Sequence, residues 1–300
     1  EREEWNKSFK SAPPEKRWEM RIERYKKIIS YDKLPGKNGK LRAGFNFKKE
    51  VYNMLKDYNS LNEGVCIITQ TIKPLVCQEI LLGLTKGNVN KTIRLRIIVD
   101  SQSTDEAQDA LVRLLAESSM PIEGLPSVYN QKIGDFSFGK DVLHGFVRNN
   151  IAVKFDYSYV IDNKPIGPSD NRWAKENLVI ELAKNIDEQI QKIPAVSKEE
   201  IDGNLPNFDF IKVSKPKVKV GEEVEILYKM KENDSNKGRY VIKGITTEKP
   251  IGRPVNPDKN GKIYYTANEA GKKEICLILV DTKTMLYSQV IIMIDVEPGQ

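Results

Sequence analysis

The sequence predicts an α/β domain followed by an all-β sandwich. Three observations carry that reading. Between residues 45 and 195, short apolar runs alternate with stretches of helical periodicity, the texture of parallel strands joined by crossover helices. At Pro194 the texture changes. From about Phe210 onward only short alternating runs remain, separated by turn clusters such as KENDSNKG and NPDKNGK, the pattern of an antiparallel sandwich. The expected organisation is a basic helical extension over 1–44, an α/β domain over 45–195, a linker over 196–208 and a sandwich over 209–300 that folds independently.

The elements follow in order. Residues 14–30 read as an amphipathic helix: Pro14 suits an early helical position, and Trp18, Ile22, Tyr25 and Ile29 fall at helical spacing. KLPGKNGK (33–40) is a loop. A second helix is expected over about 46–59, with Phe47, Val51, Met54, Leu55 and Tyr58 on one side. VCIITQ (65–70) reads as a buried strand, and 74–84 as a helix between Pro74 and Gly83. IRLRIIVD (93–100) is the next strand. It ends at Asp100, after which Ser103 and Glu106 form a capping box for a helix striped with Ala107, Ala110, Leu111, Leu114 and Leu115. Residues 120–150, rich in Gly, Asn and Ser, read as a long loop region. YSYVID (157–162) and ENLVIEL (176–182) read as strands, the latter running into a helix that ends near 193. IPAVSKEEIDGNLPNFD is the linker, and FIKV, VEILYKM, YVIKGI, KIYYTA, EICLILV and YSQVIIMIDV are the sandwich strands.

Composition narrows the function. The chain has 300 residues, 39% hydrophobic and 30% charged, and its longest apolar runs are far too short to span a bilayer as a helix. Its net charge of +6 is uneven: residues 1–50 hold 15 Lys/Arg against 8 Asp/Glu, so residues 51–300 sum to −1. Such a basic region faces an anionic partner or is simply a solvated helix face. Three cysteines, Cys66, Cys77 and Cys276, have no metal-ligand spacing, and Cys66 and Cys77 read as buried small hydrophobes in a strand and a helix. A single histidine, His144, argues against a His-rich metal centre and against a Ser-His-Asp machine. No metal and no cofactor is expected. The chain opens EREEW, with no leader peptide in view, which leaves the compartment open.

The segment 151–182 carries the sharpest constellation. Lys154 follows Ala152 by two, Asp162 ends the VID strand, Gly167 precedes Ser169 and Asn171, and Glu176 and Asn177 lead into LVIEL. This order resembles the signature of the phospholipase D superfamily: His-x-Lys, a strand ending in Asp, Gly-Ser-x-Asn, then Glu or Asn before a last strand. The resemblance covers roughly residues 45–193. It implies a metal-free phosphodiesterase acting on a phospholipid or nucleic acid through a phosphohistidine. Lys154, Asn171 and Asn177 would bind the substrate, with Lys154 and Asn171 stabilising the phosphoryl oxygens. Ser169 and Glu176 would complete the catalytic set. A chain with one motif would pair with a second copy as a homodimer. Lys154, Ser169 and Asn171 would then line one cleft.

Three features depart from the family. Ala152 holds the histidine position, so the chain is inactive by that route as written, either as a degenerate member or through an introduced alanine. The spacing from Lys154 to Asp162 is longer than the family's, and Gly-Pro-Ser-Asp-Asn carries one extra residue. His144, eight residues before Ala152, is either a stand-in for the missing imidazole or a capping histidine beside Gly145.

Two further resemblances remain. The landmarks at Asp100, Asp105 and Asp162 echo family-2 glycosyltransferases, but the would-be Asp-x-Asp reads Asp-Asn-Lys, and a lysine there repels a divalent cation. Strand end and helix cap also account for Asp100 and Ser103. KVKVGEEVEILYKM resembles the opening of bacterial immunoglobulin-like domains, which favours an extracytoplasmic or secreted location. Beside the enzyme therefore stands a second reading, a non-catalytic anion- or partner-binding module.

Overall fold

The structure, a computed structural model, describes residues 2–34, 39–68, 74–87, 89–117, 127–128, 132–139, 143–161, 164–165, 178–231, 239–246 and 253–299. It is mixed α/β, with more strand than helix. Helices α1 (Arg2–Ser11) and α2 (Pro14–Ile28) open the chain. Pro14 sits in the first turn of α2, where its missing N–H costs nothing. The expected helix over 46–59 is absent: two 3₁₀ turns, Lys49–Val51 and Asn53–Leu55, occupy that stretch.

Strand β1 (Leu41–Arg42) is short. Then come β2 (Asn59–Ile68), β3 (Leu75–Lys86), β4 (Val89–Val99), β5 (Ser127–Val128), β6 (Phe136–Gly139), β7 (Leu143–Arg148), β8 (Ile151–Ile161) and β9 (Lys164–Pro165). Strands β2 to β9 build one eight-stranded sheet in the order β2-β3-β4-β8-β7-β6-β5, with β9 against β8. Each of its pairings is antiparallel, which corrects the expectation of parallel strands with crossover helices. The stretch 74–84 is strand β3 rather than a helix, and part of 120–150 is strand rather than loop.

Helix α3 (Thr104–Glu117) begins where the capping box placed it: Glu106 N donates to Ser103 Oγ at 3.1 Å. Helix α4 (Leu178–Lys192) replaces the strand expected at 176–182. Its Leu182, Ala183, Ile186 and Ile190 are buried at helical spacing, and that stripe outweighs the β-branched run LVI. The expected linker holds β10 (Ala195–Val196), paired with β1, and helix α5 (Lys198–Asn204), capped by Ser197.

Two sheets follow. Strands β11 (Phe208–Val213), β12 (Lys217–Lys219), β13 (Glu223–Met230), β14 (Tyr240–Thr246), β15 (Ile263–Thr266), β16 (Gly271–Asp281) and β17 (Tyr287–Glu297) divide into β11-β13-β15 and β12-β17-β16-β14. The two sheets share a core that includes Val224, Ile226, Ile263, Ile275, Leu277 and Ile294.

Alternation within strands sorts the side chains into layers. On one face of the eight-stranded sheet, Ile98 and Ala152 pack with Ile22 and Tyr25 of α2 and Ala107 and Leu111 of α3. On the other, Leu95, Ile97, Val153 and Phe155 pack with α4 and with Cys276, Ile278 and Val280 of β16. Strand β16 is thus buried on both faces, and the core is continuous from Leu41 to Leu286. One hydrophobic cluster therefore spans both parts of the chain. The junction is close. Phe45 N donates to Thr284 O at 2.9 Å, and Gly44 (φ +132°) leaves only 2.5 Å between a notional Cβ and Thr284. Arg148 ties the β7–β8 hairpin to α4 through paired bonds of 2.7 Å to both Asp187 oxygens, with a third, 2.9 Å, to Asp135. Among the described residues, no helix is long and apolar enough to cross a membrane.

Candidate functional site

Of the residues proposed from the phospholipase D resemblance, Ala152 and Lys154 fall within the described structure. Ser169, Asn171, Glu176 and Asn177 lie outside the described residues, as do Asp162 and Gly167. Ala152 and Lys154 lie on β8, in the middle of the sheet between β4 and β7. Ala152 is fully buried within the helix-side core. Lys154 is 2% exposed, and its Nζ lies 3.1 Å from Asp156 Oδ1. The Lys154 ammonium is thus drawn to a carboxylate on its own strand. The cleft expected from Lys154, Ser169 and Asn171 involves two residues that lie outside the described structure.

His144, on β7, is buried beside the same pair. Burial lowers its pKa from the ordinary value; the nearby Asp156 carboxylate works against that shift and the Lys154 ammonium with it. His144 and Lys154 are thus buried beside Asp156, whose carboxylate remains 31% exposed.

The β4–α3 junction answers the glycosyltransferase landmarks. Asp100 Oδ1 accepts the N–H groups of Gln102 at 2.7 Å and Ser103 at 3.1 Å, an Asx turn that leads into the helix cap. Burial raises the Asp100 pKa, with those two N–H bonds opposing it. Asp105 is exposed in the first turn of α3, where a carboxylate suits the helix dipole. Among the described residues, no group of three His, Cys, Asp or Glu side chains is arranged to hold a metal ion.

An open cleft does lie elsewhere, between two sheets. It encloses about 640 Å³. One wall is the outer strand of the large sheet, residues Asn62–Ile67 of β2, with Glu79 of β3 behind it. The other is β14, through Val241, Lys243, Gly244 and Ile245, continued by Pro254 and Asn256. Val241, Lys243 and Ile245 stand opposite Val280, Ile278 and Cys276 of β16, so they share the face that looks toward the large sheet. Among the described residues, β2 pairs with β3 alone, and its other edge runs along the cleft. Residues 59–64 of β2 are exposed, and a register shift between Ser60 and Asn62 breaks the ladder there. From Glu63 to Ile68 the ladder is regular. The polar rim is set by Asn62, Glu63, Lys243 and Asn256; Glu79 is committed to Arg96 at 2.8 Å.

No sequence motif marks this cleft. It is made by two strand edges brought together by the shared core, and edge position is a property of topology. The one local signal is the polar start of β2, NSLNEG, an unusual opening for a strand interior.

Comparison with protein-family models, curated proteins and solved structures finds no match.

Proposed function

We propose that the chain is a non-catalytic partner-binding module, and that its ligand is an extended polypeptide segment seated in the cleft between β2 and β14. The observation that carries this reading is the edge of β2. A sheet edge presents a row of backbone N–H and C=O groups able to pair with another chain. Stable proteins cover or disrupt such edges, and here the disruption stops at Asn62, where the cleft begins. Strand addition satisfies the edge groups through the ligand's main chain, and side-chain pockets then set the preference. Val65 and Ile67 on one wall and Val241, Ile245 and Pro254 on the other favour a segment with alternating apolar residues.

We read the two C-terminal sheets as an immunoglobulin-like sandwich that supplies β14 as a rigid wall. The phosphodiesterase reading needs an imidazole at a reachable position. With Ala152 and Lys154 buried in β8, it rests on Ser169, Asn171, Glu176 and Asn177 alone, and the paired-site homodimer rests on the same four.

A linear peptide library selected against the intact chain tests the proposal. Bound peptides are expected to slow amide hydrogen exchange across Glu63–Ile68, and Val241→Arg to weaken binding by about tenfold through loss of an apolar contact. Selected peptides that leave β2 exchange unchanged, or that bind Val241→Arg equally well, would overturn it.

A further inference from the structure

Cys66 and Cys77 stand directly opposite each other on the antiparallel strands β2 and β3. Directly opposed residues of such a pair hold their Cβ atoms about 4.5–5.5 Å apart. A disulfide needs Cβ atoms about 3.5–4.5 Å apart, so small strand adjustments separate the two states. The thiols are already in hydrogen-bond contact. Their surroundings differ. Cys77 is fully buried in the helix-side core, whereas Cys66 lies at the margin of that core, half-buried on the edge strand that borders the cleft. The contact with Cys66 and then burial push the Cys77 thiol well above its ordinary value, so in the resting state it is a protonated, unreactive partner. Cys276 lies on a different strand, β16, with its thiol 3.9 Å from Gln289 Oε1.

We infer that Cys66 and Cys77 are a reversible dithiol–disulfide site, with Cys66 the entry thiol and Cys77 the resolving thiol. The co-reactant is a low-molecular-weight disulfide. The Cys66 thiolate attacks one of its sulfurs, forming a mixed disulfide and releasing one thiol. Cys77 gives up its proton and attacks Cys66 Sγ, expelling the second thiol. The protein loses two hydrogens, and the co-reactant gains both as two free thiols. The new bond clips β2 to β3 beside the cleft, so the edge strand can no longer part from the sheet at this point.

The test uses the intact folded chain and glutathione disulfide. Free thiols are alkylated after incubation, and the protein is digested without reduction. The expected result is a linked peptide joining Cys66 to Cys77, with Cys276 alkylated, two glutathione thiols released per chain, and full reversal by dithiothreitol. Cys276→Ser is expected to form the same link, and Cys66→Ser to leave Cys77 alkylatable only after unfolding. The oxidised chain is expected to melt several degrees higher than the reduced chain, as a closed loop constrains the unfolded state. The inference is overturned if the folded chain stops at glutathionylated Cys66, forms a link through Cys276, leaves Cys66 and Cys77 unreacted, or links them only in denaturant.

Discussion

His144 lets a single residue be tested without reference to any ligand. It is 5% exposed, and burial disfavours its imidazolium form. The folded chain therefore binds that proton less readily than the unfolded chain does. The associated stability is complete above the ordinary histidine value of about 6.5 and is lost as pH falls through the lower folded value. Melting temperature measured between about pH 8 and pH 5 is expected to fall toward acid, with His144→Gln showing a shallower slope across the same window. Equal slopes would mean that Asp156 offsets the burial of the ring completely. Lys154 teaches the complementary lesson about residues and sequence. Its spacing from Ala152 was legible, yet the same spacing puts two residues on one face of any strand. Whether that face meets solvent or a helix depends on α3, far away in the chain, and α3 covers it.

Elements with a local signature were legible; elements defined by their neighbours were not. The helix α3 had a capping box and a periodic stripe, and α2 had Pro14 and its own stripe, so both were readable. Strand β3 was misread as a helix because LVCQEILLGL is buried on both faces, which erases the alternation of period two. Helix α4 was misread at its start for the converse reason, a run of apolar residues at its first turn. The packing of α3 on β7 and β8 supplies a prediction at this scale. A Cβ at Gly145 would lie 2.6 Å from Val153 O and 2.9 Å from Leu111 Cδ1. The Leu111 side chain can turn aside, but the backbone oxygen cannot, so Gly145→Ala forces β7 and β8 to shift beneath α3. The expected cost is about 2 kcal/mol of unfolding free energy in a denaturant titration, with the slope unchanged. A loss below about 0.5 kcal/mol would show that the helix–sheet spacing is looser than the geometry implies.

At the scale of the whole molecule, the change of texture at Pro194 was real, but one hydrophobic cluster runs across it. Cys276, Ile278, Val280, Met285 and Leu286 belong to the cluster that contains Phe45, Phe47 and Leu55. A chain ending at residue 208 would leave that apolar face of the large sheet open. Calorimetry of the intact chain is expected to give one cooperative transition. The 1–208 fragment is expected to bind a hydrophobic dye and to lose sharp near-ultraviolet circular dichroism, the marks of lost side-chain packing. A fragment that melts cooperatively with no dye binding would show that helix α4 alone suffices to close the core. Sequence could not reveal this sharing, because the outward residues of β16 look the same whether they meet water-excluding neighbours in the same unit or in another.

The seam between Phe45 and Thr284 also sets a timetable for biosynthesis. Leu41, Phe45 and Phe47 emerge from the ribosome more than two hundred residues before their partners from Cys276 to Leu286. At ordinary translation speeds of about 5–20 residues per second, that interval is roughly 10 to 50 s. Once the strands of the large sheet have emerged, their apolar face has only α4 to cover part of it until β16 arrives, so a chaperone able to mask such a surface should engage this polypeptide while it is still being made and let go only once β16 and β17 have arrived.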